Sequence, residues 1–149
     1  MIYNADNRDK WIYDASKVYP GDFHDGSMVF MDYDRVNRIV VIQVTNYYYH
    51  KKHRLTFRNV RLFFSSAFDT WGHSDDRLLE MGDADMDSVA RSLNKLWTFK
   101  SSKKYGVTAE KELEDMLGAW FLFASGHEMF IISEEIEVRE IAPPPERDS

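Results

Sequence analysis

The chain has no cysteine, which excludes disulfides, thiol catalysis and thiolate-ligated metal and fits a reducing compartment. It has four prolines, three of them consecutive at Pro143, Pro144 and Pro145. Its seven glycines are scattered and form neither a phosphate-cradling loop nor a dinucleotide fingerprint, and there is no G-x-S-x-G elbow. No apolar run approaches the roughly 20 residues of a membrane helix. The most telling absence is of acid. From Arg35 to Phe68 there is no Asp or Glu, while Arg35, Arg38, Lys51, Lys52, Arg54, Arg58 and Arg61 all fall there, with His50 and His53. All 25 acidic residues lie outside that stretch, against 12 of the 19 basic ones. Charge segregated in this way either holds parts of one fold together or faces a charged partner.

What is present describes one folded unit. The 149 residues, 44% hydrophobic and 15% aromatic, suit a single domain with a substantial core. We place that domain at residues 1–142, followed by a disordered proline-rich tail at 143–149. The net charge of −6 opposes nucleic-acid binding by the surface as a whole. The N-terminus turns polar within four residues, unlike a secretory signal. A soluble, cytoplasmic domain is the expectation.

Turn formers punctuate the first thirty residues, notably Tyr19-Pro20-Gly21-Asp22 and His24-Asp25-Gly26-Ser27. Trp11–Tyr13 and Met28–Met31 read as brief strands between them, and Asp32–Asn37 as a turn. Ile39–Tyr49 is the clearest strand, β-branched and aromatic almost throughout. His50–His53 reads as a hairpin loop and Leu55–Phe64 as the returning strand. In that strand Leu55 and Phe57 share one face, whereas Val60, Leu62 and Phe64 follow the other parity, so a β-bulge is expected near Arg58-Asn59. Val89, Ala90, Leu93, Leu96 and Trp97 recur at helical spacing behind a cap at Asp87 or Ser88, and Thr108–Leu117 suggests a second short helix. Trp120–Ala124 and Met129–Ile141 read as a closing hairpin turning at Ser125-Gly126-His127. In its second strand Phe130, Ile132, Ile136 and Val138 are assigned to one face.

Several groups of residues invite a chemical reading. In the basic hairpin 47–64, Tyr49, Lys51, Lys52, Arg54 and Arg58 combine aromatic and cationic groups as a single-stranded nucleic-acid site would. Cross-strand pairing of Arg58 and Arg61 with Glu135 and Glu137 would equally account for the charge. His50-x-x-His53 has ligand spacing on a helix but not on a strand. Asp83-x-Asp85-x-Asp87 opens like a calcium loop but has Ser88 and Asn94 where the glycine and bidentate glutamate belong. No metal or cofactor is expected. His24, Asp25 and His73, with Ser27 and Ser74 nearby in sequence, are the residues a small hydrolase would use. Finally Asp75, Asp76, Glu80, Asp83, Asp85 and Asp87 concentrate negative charge around one arginine, and on a surface loop would steer a basic protein partner.

Phe23-His24-Asp25-Gly26, Leu55-x-Phe57-x-x-Val60, Trp71-Gly72-x-Ser74, Ser125-Gly126 and Ile136-Glu137-Val138 occur in an order that resembles small β-rich bacterial proteins of unassigned function. These include immunity-type proteins encoded beside polymorphic toxins. The resemblance spans most of residues 20–140, with Lys100–Leu117 as an insertion, and carries over no catalytic residue. It implies binding to a toxin or effector. The expected architecture is mainly β (α+β), an antiparallel sandwich or half-closed barrel with one or two short peripheral helices. The leading expected function is protein binding, ahead of nucleic-acid binding and hydrolysis.

Overall fold

Seven strands form one antiparallel sheet in the computed structural model, which describes residues 1–65, 77–95, 106, 108–124 and 126–141. The order along the chain is β1 (Ile2–Tyr3), a 3₁₀ turn (Ala5–Asn7), α1 (Arg8–Lys17), α2 (Tyr19–Phe23), β2 (Ser27–Asp34), β3 (Ile39–Asn46) and β4 (Lys51–Ser65). There follow β5 (Leu78–Asp83), α3 (Met86–Leu93), α4 (Ala109–Glu112), β6 (Leu117–Phe123) and β7 (Glu128–Ile141). In space the strands run β2-β3-β4-β7-β6-β5, and β1 pairs with β7 beyond the end of β6. The two ends of this path meet at one corner. Ser27 bridges Arg77, the Leu78 N–H donates to the Gly26 carbonyl at 2.7 Å, and the Asp25 N–H donates to the Leu78 carbonyl at 2.8 Å. The sheet therefore curls toward a barrel without closing.

One face of this curl holds the larger core. Val40, Ile42, Leu55, Phe57, Phe121, Ile131 and Ile136 point into it, and α1 and α2 fill it with Trp11, Ala15, Tyr19 and Phe23. Trp11–Tyr13 is thus helical, not a strand. Trp11, Asp14 and Ala15 are buried at i, i+3 and i+4, the spacing of one helix face. Tyr19-Pro20-Gly21-Asp22 is likewise the start of a helix, where proline is tolerated because its missing N–H would have no partner. A buried polar chain fastens α1 to β1. The Tyr3 hydroxyl donates to Asp14 at 2.6 Å and is hydrogen-bonded to the Tyr19 hydroxyl, and the Trp11 indole donates to the Gly118 carbonyl at 3.0 Å.

The β3–β4 hairpin pairs from Ile39 with Arg58 to Asn46 with Lys51, so its turn lies at 47–50, three residues earlier than expected. Asn46 sets it. The Asn46 side-chain oxygen accepts from the N–H groups of Tyr48 and Tyr49, while its amide donates to the carbonyls of Asp22 and His24. Tyr48 and Tyr49 therefore project from a turn rather than extend a strand, and His53 is buried against Phe23 with ring centres 4.9 Å apart.

The expected irregularity is present. Asn59 has a positive φ of 55°, and the β4–β7 register shifts between Val60 and Leu62. β7 changes phase too, which the pattern did not reveal. Phe130 and Ile132 join a second cluster on the opposite face, whereas Ile136 and Val138 belong to the first. The Ser133 hydroxyl, donating to the Glu135 carbonyl at 3.1 Å, marks the change. The second cluster is covered by α3 and α4, tied together by the Asn94 amide on Glu110 and the Ala109 N–H on the Asn94 side chain. α3 begins at Met86 with Asp85 as its cap, two or three residues ahead of the expected caps, because the Asp85 carboxylate accepts from both the N–H and the hydroxyl of Ser88. Leu96, Trp97, the basic loop 100–104 and the tail from residue 142 lie outside the described residues.

Gly118 is where α3 comes closest to the sheet. A Cβ there would meet Met86 Sδ at 2.7 Å, Ala84 Cβ at 2.8 Å and Ile132 Cδ1 at 3.1 Å. Gly118→Ala is expected to cost about 1–3 kcal/mol of stability through overpacking. Gly21→Ala, with nothing within 4 Å of the added carbon, should be neutral or mildly stabilising. Chemical denaturation of the two variants checks this, and an unchanged midpoint for Gly118→Ala would contradict the close approach.

Candidate functional site

Leu62 and Phe64, an odd number of positions from Phe57, lie on the opposite face of β4. Beside them stand Trp120 of β6 and Phe130 of β7, and Val89 and Leu93 of α3 close the other side. Together they line a cleft of about 630 Å³, within the usual range of roughly 300–1,000 Å³ for ligand sites. Phe64, on its wall, is 51% exposed although it carries a large ring, and its ring centre lies 6.3 Å from that of Phe130. The Trp120 indole donates to Glu128 at 3.3 Å.

Carboxylates and hydroxyls form the rim. Asp83, Asp85, Ser88 and Ser92 line the cleft, and a smaller depression of about 380 Å³ continues past Asp83 and Asp85 to Asp87 and Arg8. The two nearer acids are electrostatically unlike. Burial pushes Asp83 up to about 6, against the opposing pull of Arg8 and the Trp11 indole and with a further push from Asp85. The hydroxyl and N–H of Ser88 hold Asp85 below the usual carboxylate range. At neutral pH the mouth of the cleft thus carries two adjacent negative charges, one of them poorly solvated. A cationic group entering there would relieve that desolvation, and the apolar floor would take the hydrocarbon attached to it.

The acidic run accordingly does not form a plain solvated loop. Glu80 projects from the edge strand β5, Asp83 is half-buried at its end, Asp85 caps α3 and Asp87 lies in its first turn. Asp75 and Asp76 lie outside the described residues. The basic strip is divided as well. Lys51 is bonded to Asp22 at 3.1 Å, and Arg58 donates to Glu135 at 2.7 Å and to Glu137 at 2.9 Å. Arg61 reaches Glu112 of α4 at 2.6 Å instead of a strand partner. Tyr49 sits in the turn, separated from Lys52, Arg54 and Arg58 on the sheet.

Among the described residues His24, Asp25 and Ser27 form no nucleophile–base pair. The His24 Nδ1–H donates to the Leu79 carbonyl at 2.7 Å and its Nε2 lies 3.4 Å from Asp25. Among the described residues neither ring nitrogen is bonded to a hydroxyl, and His73 and Ser74 lie outside them. Among the same residues no group of three or more His, Asp or Glu is placed to hold a metal ion, and no helix is long and apolar enough to cross a membrane. Comparison of the chain with protein-family models, curated proteins and solved structures finds no match.

The cleft walls were legible only as strand and helix positions. The signal that could have identified them is parity, which puts Leu62 and Phe64 on the strand face opposite Phe57. Asp83 offers a direct test of the site's electrostatics. Its folded value lies above its ordinary 3.8, so the folded protein retains a proton that the unfolded chain releases. The cost of ionising it is absent below about pH 4 and complete above about pH 6. Asp83→Asn should therefore be more stable than the parent above pH 6, by at most about 3 kcal/mol, with the difference closing as the pH falls to 4. Thermal melts across that range check this, and a difference that grows toward low pH would contradict it.

Proposed function

We propose that the protein is a cytoplasmic binding protein that neutralises a basic toxin or effector protein, receiving an apolar side chain and its neighbouring cations in the acidic-rimmed cleft. The observation that carries this reading is the placement of Asp83 and Asp85 at the mouth of an apolar cleft, with Asp87 on the adjoining depression. Desolvated aromatic pockets supply the anchors of protein interfaces, and a rim of one sign raises association rates with a partner of the other. The absence of cysteine supports action in a reducing compartment. The resemblance to immunity-type proteins points to the same class of partner.

Nucleic-acid binding through the hairpin has less support. Lys51 and Arg58 are held by carboxylates, which leaves Lys52 and Arg54 of the strip for phosphates. Hydrolysis has less still, because the His24 imidazole has no adjacent hydroxyl among the described residues.

The test is co-expression and binding with the protein encoded in the adjacent upstream reading frame. The parent chain should relieve its toxicity and bind it. Asp85→Asn keeps the helix cap, since Asn caps as well as Asp, and combined with Asp87→Asn it should slow association about tenfold at low salt while leaving dissociation nearly unchanged. Phe64→Ala should act on dissociation instead. Equal association for parent and double variant, or a neighbouring protein that is neither toxic nor bound, would overturn the proposal.

A further inference from the structure

The half of the sheet built by β2, β3, β4 and the end of β7 has helices on one face only. On its other face cross-strand register brings together Phe30, Ile39 and Val41 with Thr56 and the charged residues of β4 and β7. These apolar residues belong to neither core cluster, and Phe30 is 47% exposed. Among the described residues no helix covers them. At the centre of this face Arg54, Thr56, Arg58, Glu137 and Arg139 line a depression of about 160 Å³.

The charges in the depression are unequally satisfied. Arg58 is fully engaged by Glu135 and Glu137, and Glu137 also accepts from Arg139 at 3.3 Å. Arg54 stands directly opposite Arg139 in the register, a like-charge pairing that destabilises a sheet. Among the described residues no carboxylate pairs with Arg54; with the Gln43 amide turned so that its oxygen faces the guanidinium, that oxygen accepts from Arg54 at 3.1 and 3.3 Å. Two arginines therefore stand opposite one another in the register and line one depression, with Glu137 already shared between Arg58 and Arg139. A planar oxyanion between them would convert that repulsion into two charge-assisted hydrogen-bond pairs.

We propose that Arg54 and Arg139 form a receptor for a single carboxylate of a polypeptide partner, an acidic side chain or a C-terminus whose apolar neighbours lie on Phe30 and Val41. The surrounding charge selects this occupant over a phosphate chain. Lys52, Arg54, Arg58 and Arg139 share the face with Asp32, Asp34, Glu135 and Glu137, so the face is balanced overall and would repel a run of phosphates while one point on it attracts one anion. None of the residues lining this depression lines the cleft, and its occupancy does not depend on the cleft's function.

The probe is the blocked peptide acetyl-Leu-Glu-Leu-amide, compared with its Gln counterpart and with a thymidine oligonucleotide, titrated while the arginine Nε–H signals are followed by NMR. Saturable shifts of the Arg54 and Arg139 signals by the Glu peptide alone are expected. Arg54→Gln should weaken that binding about tenfold or more, with an unchanged amide spectrum elsewhere, and Arg139→Gln should do the same. Arg54→Lys should restore part of it, since it returns the charge without the fork. Equal responses to the Glu and Gln peptides, or a Glu response insensitive to both substitutions, would overturn the proposal. An oligonucleotide that binds more tightly than the peptide and loses binding with Arg54→Gln would assign the face to nucleic acid instead.

Discussion

Everything in this fold depends on how β4 and β7 pair. They are the two longest strands, they lie at the centre of the sheet, and both change phase partway along. Before the change, alternate residues of β4 face the core filled by α1 and α2; after it, Leu62 and Phe64 face α3. Val60 still belongs to the first core and Leu62, two positions on, packs on the second, which a side-chain period of two permits only if a residue is left over between them. Arg61 is that residue in β4. Ser133 to Glu135 accommodate the matching turnover in β7, and Arg58 clamps Glu135 and Glu137 beside it. One strand pair thereby supports two cores on opposite faces, and the cleft is the unfilled side of the second.

The same pairing explains the segregated charge. The acid-free stretch becomes β3 and β4 in the middle of the sheet, and its cations meet carboxylates from three directions: Asp22 of α2, Glu112 of α4, and Glu135 and Glu137 of β7. Each such pair is partly exposed and worth at most about 1 kcal/mol, so the arrangement fixes register and orientation more than it stabilises. On the open face Lys52 and Arg54 meet no carboxylate among the described residues, and the cross-strand neighbour of Arg54 is another cation.

The β-rich class, the hairpins and the bulge were legible because alternation is a strong local signal and its failure after Phe57 is equally local. The helix α1 was not, because its short apolar cluster Trp11-Ile12-Tyr13 resembles a strand unless Ala15 is counted with it. The turn at 47–50 was misplaced because three tyrosines have strand propensity, whereas Asn46, whose hydrogen bonds decide the turn, is a single polar residue. The change of face in β7 was hidden by coincidence: Phe130, Ile132, Ile136 and Val138 keep one parity in sequence while serving two cores. For the site, the acidic residues were legible as a group. Their relation to Trp120, Phe130 and Phe64 was not, since it arises from strands far apart in sequence meeting around α3.

The claim that Arg61 is the residue left over between the two cores is tested most directly by comparing the unfolding free energy of a chain lacking Arg61 with that of a chain lacking Thr56. Without Arg61, Val60 and Leu62 keep Ser133 and Ile132 as partners and keep their faces, so the deletion should cost little beyond the exposed ion pair with Glu112, about 1 kcal/mol. Thr56 lies where the pairing with β3 and β7 is regular, so its loss reverses the faces on one side of it and should cost about 3 kcal/mol or above. Equal costs for the two deletions would contradict the account.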